Sequence, residues 1–293
     1  MTNFITGHTG LCALLGSPVA HSISPAMHNE AFRLLGLDYA YLAFDVGTDN
    51  LKTAVDGLKA LGVRGFNLTM PDKNLMAELA DDLSPAARLT GAVNTIVNEN
   101  GRLIGHTTDG TGYMRAAADA GIELQNKTMT LLGAGGAATA IVVQAALDGL
   151  KEIRIFNIKD KFFERMEGLC EKLCAETDCR VIVNDLADKD ALGASIETSD
   201  ILTNCTNVGM APSTNACLIE DPHMLRPQLV VSDIIYNPKE TLLLKKAKAC
   251  GCQTFNGMYM LLYQGAAAFK LWTGHDMPTE QIKAKFYSRC AVL

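Results

Sequence analysis

The sequence has no uninterrupted apolar run of the ~18–20 residues that a membrane-spanning helix needs. Its first residues, MTNFITGHTGLCALLG, lack a basic segment followed by a long apolar one, so no export signal is evident. An excess of positive charge is lacking too, because the formal net charge is −6, whereas nucleic-acid binding needs a basic surface. These absences predict a cytoplasmic protein that binds neither membranes nor nucleic acid.

Metal-binding motifs are also missing. The sequence contains no HExxH segment and no comparable cluster of histidine and aspartate. Among its nine cysteines, Cys170, Cys174 and Cys179 have no matching second pair of ligands. Cys250 and Cys252 could hold a metal only with distant partners. We therefore expect no metal site, and reduced thiols that pack as small hydrophobic side chains.

What the sequence does contain is an alternation of strand-like apolar runs with helical patterns, which predicts an α/β architecture. A chain of 293 residues is long enough for two domains. The segment AVNTIVNENGRLIGH interrupts the alternation as a predicted hairpin that turns at Glu99, Asn100 and Gly101, so the first sheet is expected to be mixed. From about Thr111 the strand–helix rhythm restarts, which predicts a second sheet.

The segment LLGAGGAATAIVVQAAL carries a glycine-rich turn between a strand and a long helix. Gly133 permits a tight turn, and Gly135 and Gly136 allow the backbone to approach a pyrophosphate at the helix N-terminus, where free N–H groups favour anions. An alanine stands where the strict dinucleotide-binding fingerprint has its last glycine. The pattern predicts a dinucleotide site, and the alternative is a purely structural turn.

In a dinucleotide-binding fold, the next strand should end in a residue that hydrogen-bonds to the adenosine ribose. It ends IFNIKD, which offers Asn157, Lys159 and Asp160. A carboxylate there accepts hydrogen bonds from a free ribose diol and repels a 2′-phosphate, so NAD is the expected cofactor. NADP is the alternative, through Lys159. Asp160 could instead only cap the helix that follows.

A second group of polar residues lies at strand ends and turns of the first half. Hydroxyls, amides, one lysine and one aspartate suit a small polyol that carries a carboxylate, and the charged pair could move the proton that accompanies hydride transfer. Each residue also has a structural interpretation: Ser24 as a helix N-cap, Asn94 as a partner of hairpin backbone, Asp109 in a tight turn. The group is Ser22, Ser24, Asn67, Thr69, Lys73, Asn94 and Asp109. The histidines expected as turn or surface residues without a catalytic role are His21, His28 and His106.

The motifs HSISP, NLTMPDK, AVNT, TTDG, GAGGAA and YQGAAAFKLWTG occur in the order and spacing of shikimate dehydrogenases, which the chain resembles from about Leu14 to about Pro278. It looks closest to the quinate/shikimate branch that accepts NAD as well as, or better than, NADP. The resemblance implies a substrate domain over 1–110, a Rossmann-like NAD(P)-binding domain over 111–257, and C-terminal helices over 258–293 that pack back on the first domain.

The resemblance also implies a role for each matching residue. Lys73 and Asp109 match the family's catalytic pair, and Ser22 and Ser24 match the residues that hold the substrate carboxylate. Residues implied to bind ring hydroxyls or complete the pocket are Asn67, Thr69, Asn94 and Gln264, with Tyr236 near substrate and nicotinamide. Residues implied on the cofactor side are Ala134, Gly135, Gly136, Ala137, Asn157, Lys159, Asp160, Ile234 and Gly257.

The implied reaction is the interconversion of shikimate and 3-dehydroshikimate with NAD(P). Two departures bear on specificity: Thr107 stands where the family has an amide, and Ile158 follows Asn157 where NADP-specific members carry an arginine. Two alternatives stay open, an enzyme of the same fold that prefers quinate or another cyclitol, and a sensor that binds NAD(H) without catalysis. A monomer or a homodimer is expected.

Overall fold

The computed structural model describes residues 5–287, which form two compact units. The first unit runs to Thr108 and resumes at Leu262, and the second comprises Asp109–Leu261. The borders predicted from the sequence were 110/111 and 257/258. Among the described residues, no helix is both long enough and apolar enough to cross a bilayer.

The first unit is built on a mixed six-stranded sheet in the order β2-β1-β3-β5-β6-β4. Strands β2, β1 and β3 are parallel to one another, whereas β5 runs antiparallel to both of its neighbours, β3 and β6. Its elements are β1 (Gly10–Gly16), α1 (Ser24–Leu35), β2 (Tyr39–Asp45), α2 (Thr48–Ala60), β3 (Gly65–Leu68), α3 (Lys73–Leu79), β4 (Asp82–Leu83), α4 (Pro85–Thr90), β5 (Thr95–Glu99) and β6 (Arg102–His106).

The predicted hairpin is β5 and β6, and it is what makes the first sheet mixed. Its two-residue turn has positive φ at both positions, 54° at Asn100 and 91° at Gly101, the backbone of a type I′ turn. The pairing sets Asn67 of β3 directly opposite Thr95 of β5. Two polar residues therefore face each other at the end of this buried sheet.

The C-terminal segment from Leu262 onward belongs to the first unit. It begins within α10 (Met258–Thr273) and continues through α11 (Thr279–Ile282) and one π-helical turn (Lys283–Tyr287). The indole of Trp272 donates a 2.9 Å hydrogen bond to the carbonyl of Ile96, and the Arg64 guanidinium donates a 2.6 Å bond to the carbonyl of Trp272. A Cβ at Gly65 would overlap the indole, so the strand admits the tryptophan only with glycine there.

The second unit has a fully parallel six-stranded sheet in the order β12-β11-β10-β7-β8-β9. Its elements are α5 (Asp109–Asp119), β7 (Thr128–Leu132), α6 (Gly136–Leu147), β8 (Glu152–Asn157), α7 (Lys161–Glu176), β9 (Arg180–Asp185), α8 (Lys189–Glu197), β10 (Ile201–Asn204), a 3-10 turn (Pro222–Met224), β11 (Val230–Asp233), α9 (Leu242–Ala249) and β12 (Gln253–Asn256). The order reverses between β7 and β10, which makes the carboxyl ends of these strands the ligand-binding edge of a doubly wound sheet.

The edge strand β12 was not predicted from the sequence. It is four residues long, and its side chains are half-buried or exposed, so it lacks the apolar run that marks the central strands. By contrast, all five residues of β7 at the sheet centre are buried, which is why the sequence signals it clearly.

Candidate functional site

Asn67 lies at the end of β3 and is held by hydrogen bonds at both ends of its amide. The Tyr41 hydroxyl donates to Oδ1 at 2.7 Å, while Nδ2 donates to the carbonyl of Asn94 at 3.0 Å and to Oγ1 of Thr95 at 2.9 Å. The side chain is buried, and these partners come from β2 and from the start of the hairpin. Its orientation is therefore fixed by the folded sheet.

Asn94 is the second fixed amide. Its Oδ1 accepts the N–H of Thr108 at 2.8 Å and the hydroxyl of Thr95 at 3.0 Å. Its Nδ2 donates to Oγ1 of Thr108 at 3.0 Å and to Oε1 of Gln264 at 3.5 Å. The Asn94 side chain thus binds a backbone N–H, but that of Thr108 beyond the hairpin and not one of the hairpin itself. It also joins the start of the hairpin to the Thr108 segment and to α10.

The serine pair lies at the start of α1. Ser22 accepts the backbone N–H of Ser24 at 3.2 Å, and the side chain of the buried Ser24 lies near the hydroxyl of Tyr41, where it acts to lower the pKa of that phenol. The N-cap position belongs to Ile23 and carries no side-chain cap. The interpretation of Ser24 as an N-cap was therefore wrong.

Thr69 and Lys73 follow β3. Thr69 continues the parallel pairing by donating its N–H to the carbonyl of Leu15 at 2.9 Å, and its methyl occupies the space that a side chain at Gly16 (φ 153°) would fill. Lys73 is the first residue of α3, and its carbonyl accepts the N–H of Val93 at 2.8 Å. The start of α3 is thereby tied to the AVNT segment.

One hydrogen-bond network thus joins three of the predicted residues of the first unit, and the side chain of Ser24 interacts with one of its members, Tyr41. Asp109 follows Thr108 directly and is the first residue of α5, so its predicted tight turn is in fact a helix start. The predicted residues in the network are Asn67, Asn94 and Gln264, joined through Tyr41, Thr95 and Thr108. The last three were missed by sequence reasoning.

Tyr41 was missed because a tyrosine inside YAYLAFD is expected to be an ordinary core residue of a strand. It is fully buried, and burial raises the pKa of its phenol well above the usual value, so the hydroxyl stays a donor. The available signal was chemical: a buried phenol needs a polar partner. Thr108 could have been found in the same way, as the hydroxyl immediately before Asp109.

His28 corrects a second expectation. It was predicted as a turn or surface residue, yet it lies on α1 with no exposed surface, and neither ring nitrogen has a hydrogen-bond partner among the described residues. Its ring stacks on Tyr41. Burial lowers the pKa of His28 to about 3, so the imidazole is neutral and aromatic in character.

In the second unit, the glycine-rich turn connects β7 to α6. Gly133 has φ 104°, and a Cβ there would lie 2.9 Å from the methyl of Thr206 and 3.2 Å from the carbonyl of Cys205. Gly135 is the N-cap of α6, and neither it nor Gly136 would bring a Cβ within 4 Å of any described atom. The turn is tight on its inner side and open above the first N–H groups of α6, as an anion site requires.

The flanking alanines differ in exposure, since Ala134 is buried and Ala137 is half-buried. Thr139 closes the first helical turn by donating its N–H to the carbonyl of Gly135 at 2.9 Å. The amides between these residues have no acceptor within the helix by geometry, which leaves them to a ligand or to water.

At the end of β8, Asp160 is the N-cap of α7. Its Oδ1 accepts the N–H groups of Phe162 at 2.9 Å and Phe163 at 3.1 Å, and Nδ2 of Asn157 at 3.0 Å. The capping interpretation is therefore correct, and it engages Oδ1 alone. Lys159 is exposed, with Nζ 3.7 Å from a carboxylate oxygen of Asp185. Recognition of the adenosine ribose by residues 157–160 stays a prediction.

The remaining cofactor-side residues lie where β11 and β12 end. Ile234 is half-buried and donates its N–H to the carbonyl of Asn204 at 3.0 Å. A Cβ at Gly257 would overlap the carbonyl of Ile234, so only glycine fits there. Tyr236 follows, 53% exposed. Every predicted cofactor residue thus lies at the carboxyl end of a strand of this one sheet or within a few residues after it.

Among the described residues, no group of three or more His, Cys, Asp or Glu could hold a metal ion, and every cysteine is a free thiol. The polar groups at both candidate sites are hydroxyls, amides and backbone N–H groups, with few charges. This donor set suits an organic polyol and a nucleotide.

Comparisons with known proteins match this geometry. The family model described as the shikimate dehydrogenase substrate binding domain matches residues 14–96, and the shikimate 5′-dehydrogenase C-terminal domain matches residues 257–285. A shikimate dehydrogenase (NADP(+)) of Listeria monocytogenes serotype 4b (strain F2365) is 53% identical over 283 residues, 97% of each chain. The chain belongs to the shikimate dehydrogenase family.

Solved structures of family members have the same fold as this chain. A shikimate 5-dehydrogenase of Listeria monocytogenes in complex with shikimate and NAD has a TM-score of 0.94 at 53% identity, over 97% of this chain and 98% of that one. A quinate dehydrogenase of Corynebacterium glutamicum in complex with NAD has a TM-score of 0.84 at 29% identity, over 96% and 99%. The predicted family, fold class and enzyme class, an NAD(P)-dependent oxidoreductase acting on a CH–OH group, are confirmed.

Proposed function

We propose that this shikimate dehydrogenase family member interconverts shikimate and 3-dehydroshikimate, with NAD in preference to NADP and with Lys73 and Asp109 as its acid/base pair. One observation carries the proposal. Lys73 is hydrogen-bonded through its carbonyl to Val93, and the residue before Asp109, Thr108, is hydrogen-bonded to Asn94. Val93 and Asn94, which are neighbours in the sequence, therefore hold the backbone at Lys73 and next to Asp109 by hydrogen bonds.

The substrate carboxylate is assigned to Ser22 and Ser24. These hydroxyls lie at the start of α1, a helix of 12 residues whose first N–H groups and dipole favour an anion. The Ser22 hydroxyl also orients the chain that leads into α1, because it accepts the N–H of Ser24. A carboxylate bound there would orient the ring that carries it.

The ring hydroxyls are assigned to the amides and to Thr69. Asn67 accepts from Tyr41 through one lone pair of Oδ1, which leaves a carbonyl-type oxygen able to accept a second hydrogen bond. Asn94 and Gln264 complete the pocket, with Nδ2 of Asn94 3.5 Å from Oε1 of Gln264. Because protein partners already orient these amides, little entropy is lost when substrate binds.

In the oxidation, the bound dinucleotide accepts the hydride from the carbinol carbon, and the O–H proton must leave at the same stage. Lys73 and Asp109 provide an amine and a carboxylate for that proton, and an ammonium beside the oxygen would stabilise its developing charge.

NAD is proposed over NADP because a carboxylate, Asp160, stands at the end of β8, where it repels a 2′-phosphate. Its cap bonds are accepted by Oδ1, so the cap does not consume both oxygens. Lys159 could attract a phosphate, but it faces Asp185 at 3.7 Å. The relatives favour NADP more than NAD: one solved structure holds shikimate and NAD, whereas curated relatives at 52–53% identity are named NADP(+) enzymes and two other solved structures hold NADP. The proposal of NAD therefore rests on Asp160.

The second candidate is a preference for quinate. It is favoured by the likeness to the quinate dehydrogenase and by Thr107, a buried threonine where the family has an amide.

Initial rates on shikimate and quinate, each with NAD and NADP, separate the candidates. We expect the highest kcat/KM with shikimate and NAD. No change in nicotinamide absorbance with either polyol would contradict both and favour a sensor. The cytoplasmic location and the monomeric or dimeric state stay predictions.

A further inference from the structure

A buried carboxylate lies at the end of β11 and has no part in the proposed chemistry. Asp233 is 1% exposed. Its Oδ1 accepts the N–H of Ile235 at 3.0 Å and Nδ2 of Asn204 at 3.1 Å, and its Oδ2 accepts the hydroxyl of Thr241 at 2.7 Å. Burial raises the pKa of Asp233, against which these three donors act.

Asn204 carries the connection to the next strand end. It pairs in register with Asp233 across β10 and β11. Its Oδ1 accepts the N–H of Thr206 at 3.1 Å and the Thr206 hydroxyl at 2.7 Å. The methyl of Thr206 in turn packs over Gly133, the tight-turn residue of the glycine-rich segment. Asp233 is thus three contacts away, through Asn204 and Thr206, from the turn proposed to bind pyrophosphate.

A second branch runs through the backbone after β11. The bond to Ile235 fixes the peptide next to Ile234, whose own N–H is held by the carbonyl of Asn204. The Ile234 carbonyl lies against Gly257, and the N–H of Gly257 donates to the carbonyl of Ile235 at 3.3 Å. The strand ends of β7, β10, β11 and β12 therefore share one set of contacts.

We propose that Asp233 is a positioning residue for the dinucleotide site. Together with Asn204, Thr206 and Thr241 it forms a clasp, the Asp233 clasp, that sets the backbone at these strand ends. A buried charge is costly to keep, and here it satisfies a backbone N–H, an amide and a hydroxyl at once, which no apolar side chain could do. The inference rests on the proposed function, since it assigns the dinucleotide to this edge of the sheet.

A structural role alone would lower stability without changing nucleotide affinity. Thr130 supplies the matched control, because its hydroxyl is fully buried in β7 of the same sheet and lies 2.7 Å from the hydroxyls of both Ser195 and Ser199. Thr130→Val removes a comparable buried network that has no bond to the strand-end loops.

The test measures the dissociation constants of NAD and NADP by isothermal titration calorimetry, with the melting temperature of each variant. Asp233→Ala is expected to weaken binding of the preferred nucleotide about 10-fold, the equivalent of one charge-assisted hydrogen bond. Asp233→Asn keeps an oxygen for Ile235 and should stay within about 3-fold of the wild type. Thr130→Val should lower the melting temperature and leave both constants unchanged.

Asn204→Ala gives a second measurement should Asp233→Ala fail to fold, because it releases Thr206 and leaves Asp233 with two donors. It too is expected to weaken nucleotide binding. Unchanged constants in Asp233→Ala or Asn204→Ala, or an equal loss in Thr130→Val, would overturn the clasp. Failure of the proposed function is distinguishable, since it shows in the wild type as absent turnover of shikimate, whereas failure of the clasp shows in the nucleotide dissociation constants of the variants.

Discussion

The imidazole of His28 stacks on the phenol ring of Tyr41, with ring centroids 4.5 Å apart and planes 7° from parallel. The same phenol donates to Oδ1 of Asn67 and interacts with the side chain of Ser24. A buried aromatic pair thus packs beneath Asn67 and Ser24, two residues predicted to bind substrate, and supports them. The polar network and the core of that unit are one structure, so a change in either is expected to affect both.

Tyr41→Phe should test this link. The variant keeps the ring but leaves Oδ1 of Asn67 without its buried donor, so the free energy of unfolding is expected to fall by roughly 1–3 kcal/mol. The KM for shikimate should rise, because Asn67 and Ser24 lose their common partner. Urea unfolding and steady-state kinetics measure the two effects.

The matched control is Tyr113→Phe in the second unit. Tyr113 is also buried, and its hydroxyl lies 2.7 Å from that of Thr203 and 2.8 Å from that of Ser232. It should lose similar stability with no change in the KM for shikimate. Equal KM effects in the two variants would refute the role of Tyr41.

His28 predicts a pH dependence of stability. Its pKa is about 3 in the folded protein against 6.5 for an ordinary histidine, so between these values the unfolded chain binds a proton that the folded protein does not. Stability is therefore lost as the pH falls from 6.5 towards 3, by at most ~1.4 kcal/mol per pH unit from this group. His28→Phe should flatten that slope in urea unfolding at pH 7 and pH 5. An identical slope in both proteins would contradict the prediction.

Lys73→Ala tests the acid/base pair. Loss of one positioned proton-transfer group is expected to reduce kcat by about 10²–10⁴-fold, with the dissociation constant of NAD unchanged. Lys52→Ala is the control, a lysine on α2 whose side chain is 72% exposed and pairs with Asp56. Near-normal turnover of Lys73→Ala would remove this lysine from the mechanism.

The sequence predicted the two sheets from its apolar runs, and it predicted candidate site residues of the first unit from polar residues that stand at the ends of those runs. The roles of these residues stay predictions. It could not predict Tyr41 or His28, since an aromatic in a strand and a histidine near a turn each have an ordinary explanation. It also missed β12, which is stabilised by pairing with β11 rather than by apolar side chains. Tertiary context decides these positions.

Asp160 has two roles that one pair of variants can separate. Asp160→Asn keeps an oxygen that can cap α7 and removes the charge, so kcat/KM with NADP should rise relative to NAD while the melting temperature stays near that of the wild type. Asp160→Ala should raise the KM for NAD more than that for shikimate and also cost ~0.5–2 kcal/mol of stability through the lost cap.

Asp188 gives the control for the cap, because it is the N-cap of α8 and accepts the N–H of Ala191 at 2.9 Å. Asp188→Ala should lose comparable stability and keep the wild-type ratio of kcat/KM for the two cofactors. If Asp160→Asn also leaves that ratio unchanged, its carboxylate does not discriminate between the cofactors. Asp160 would then act only as the cap of α7, and the preference for NAD would have to come from another residue at this edge of the sheet.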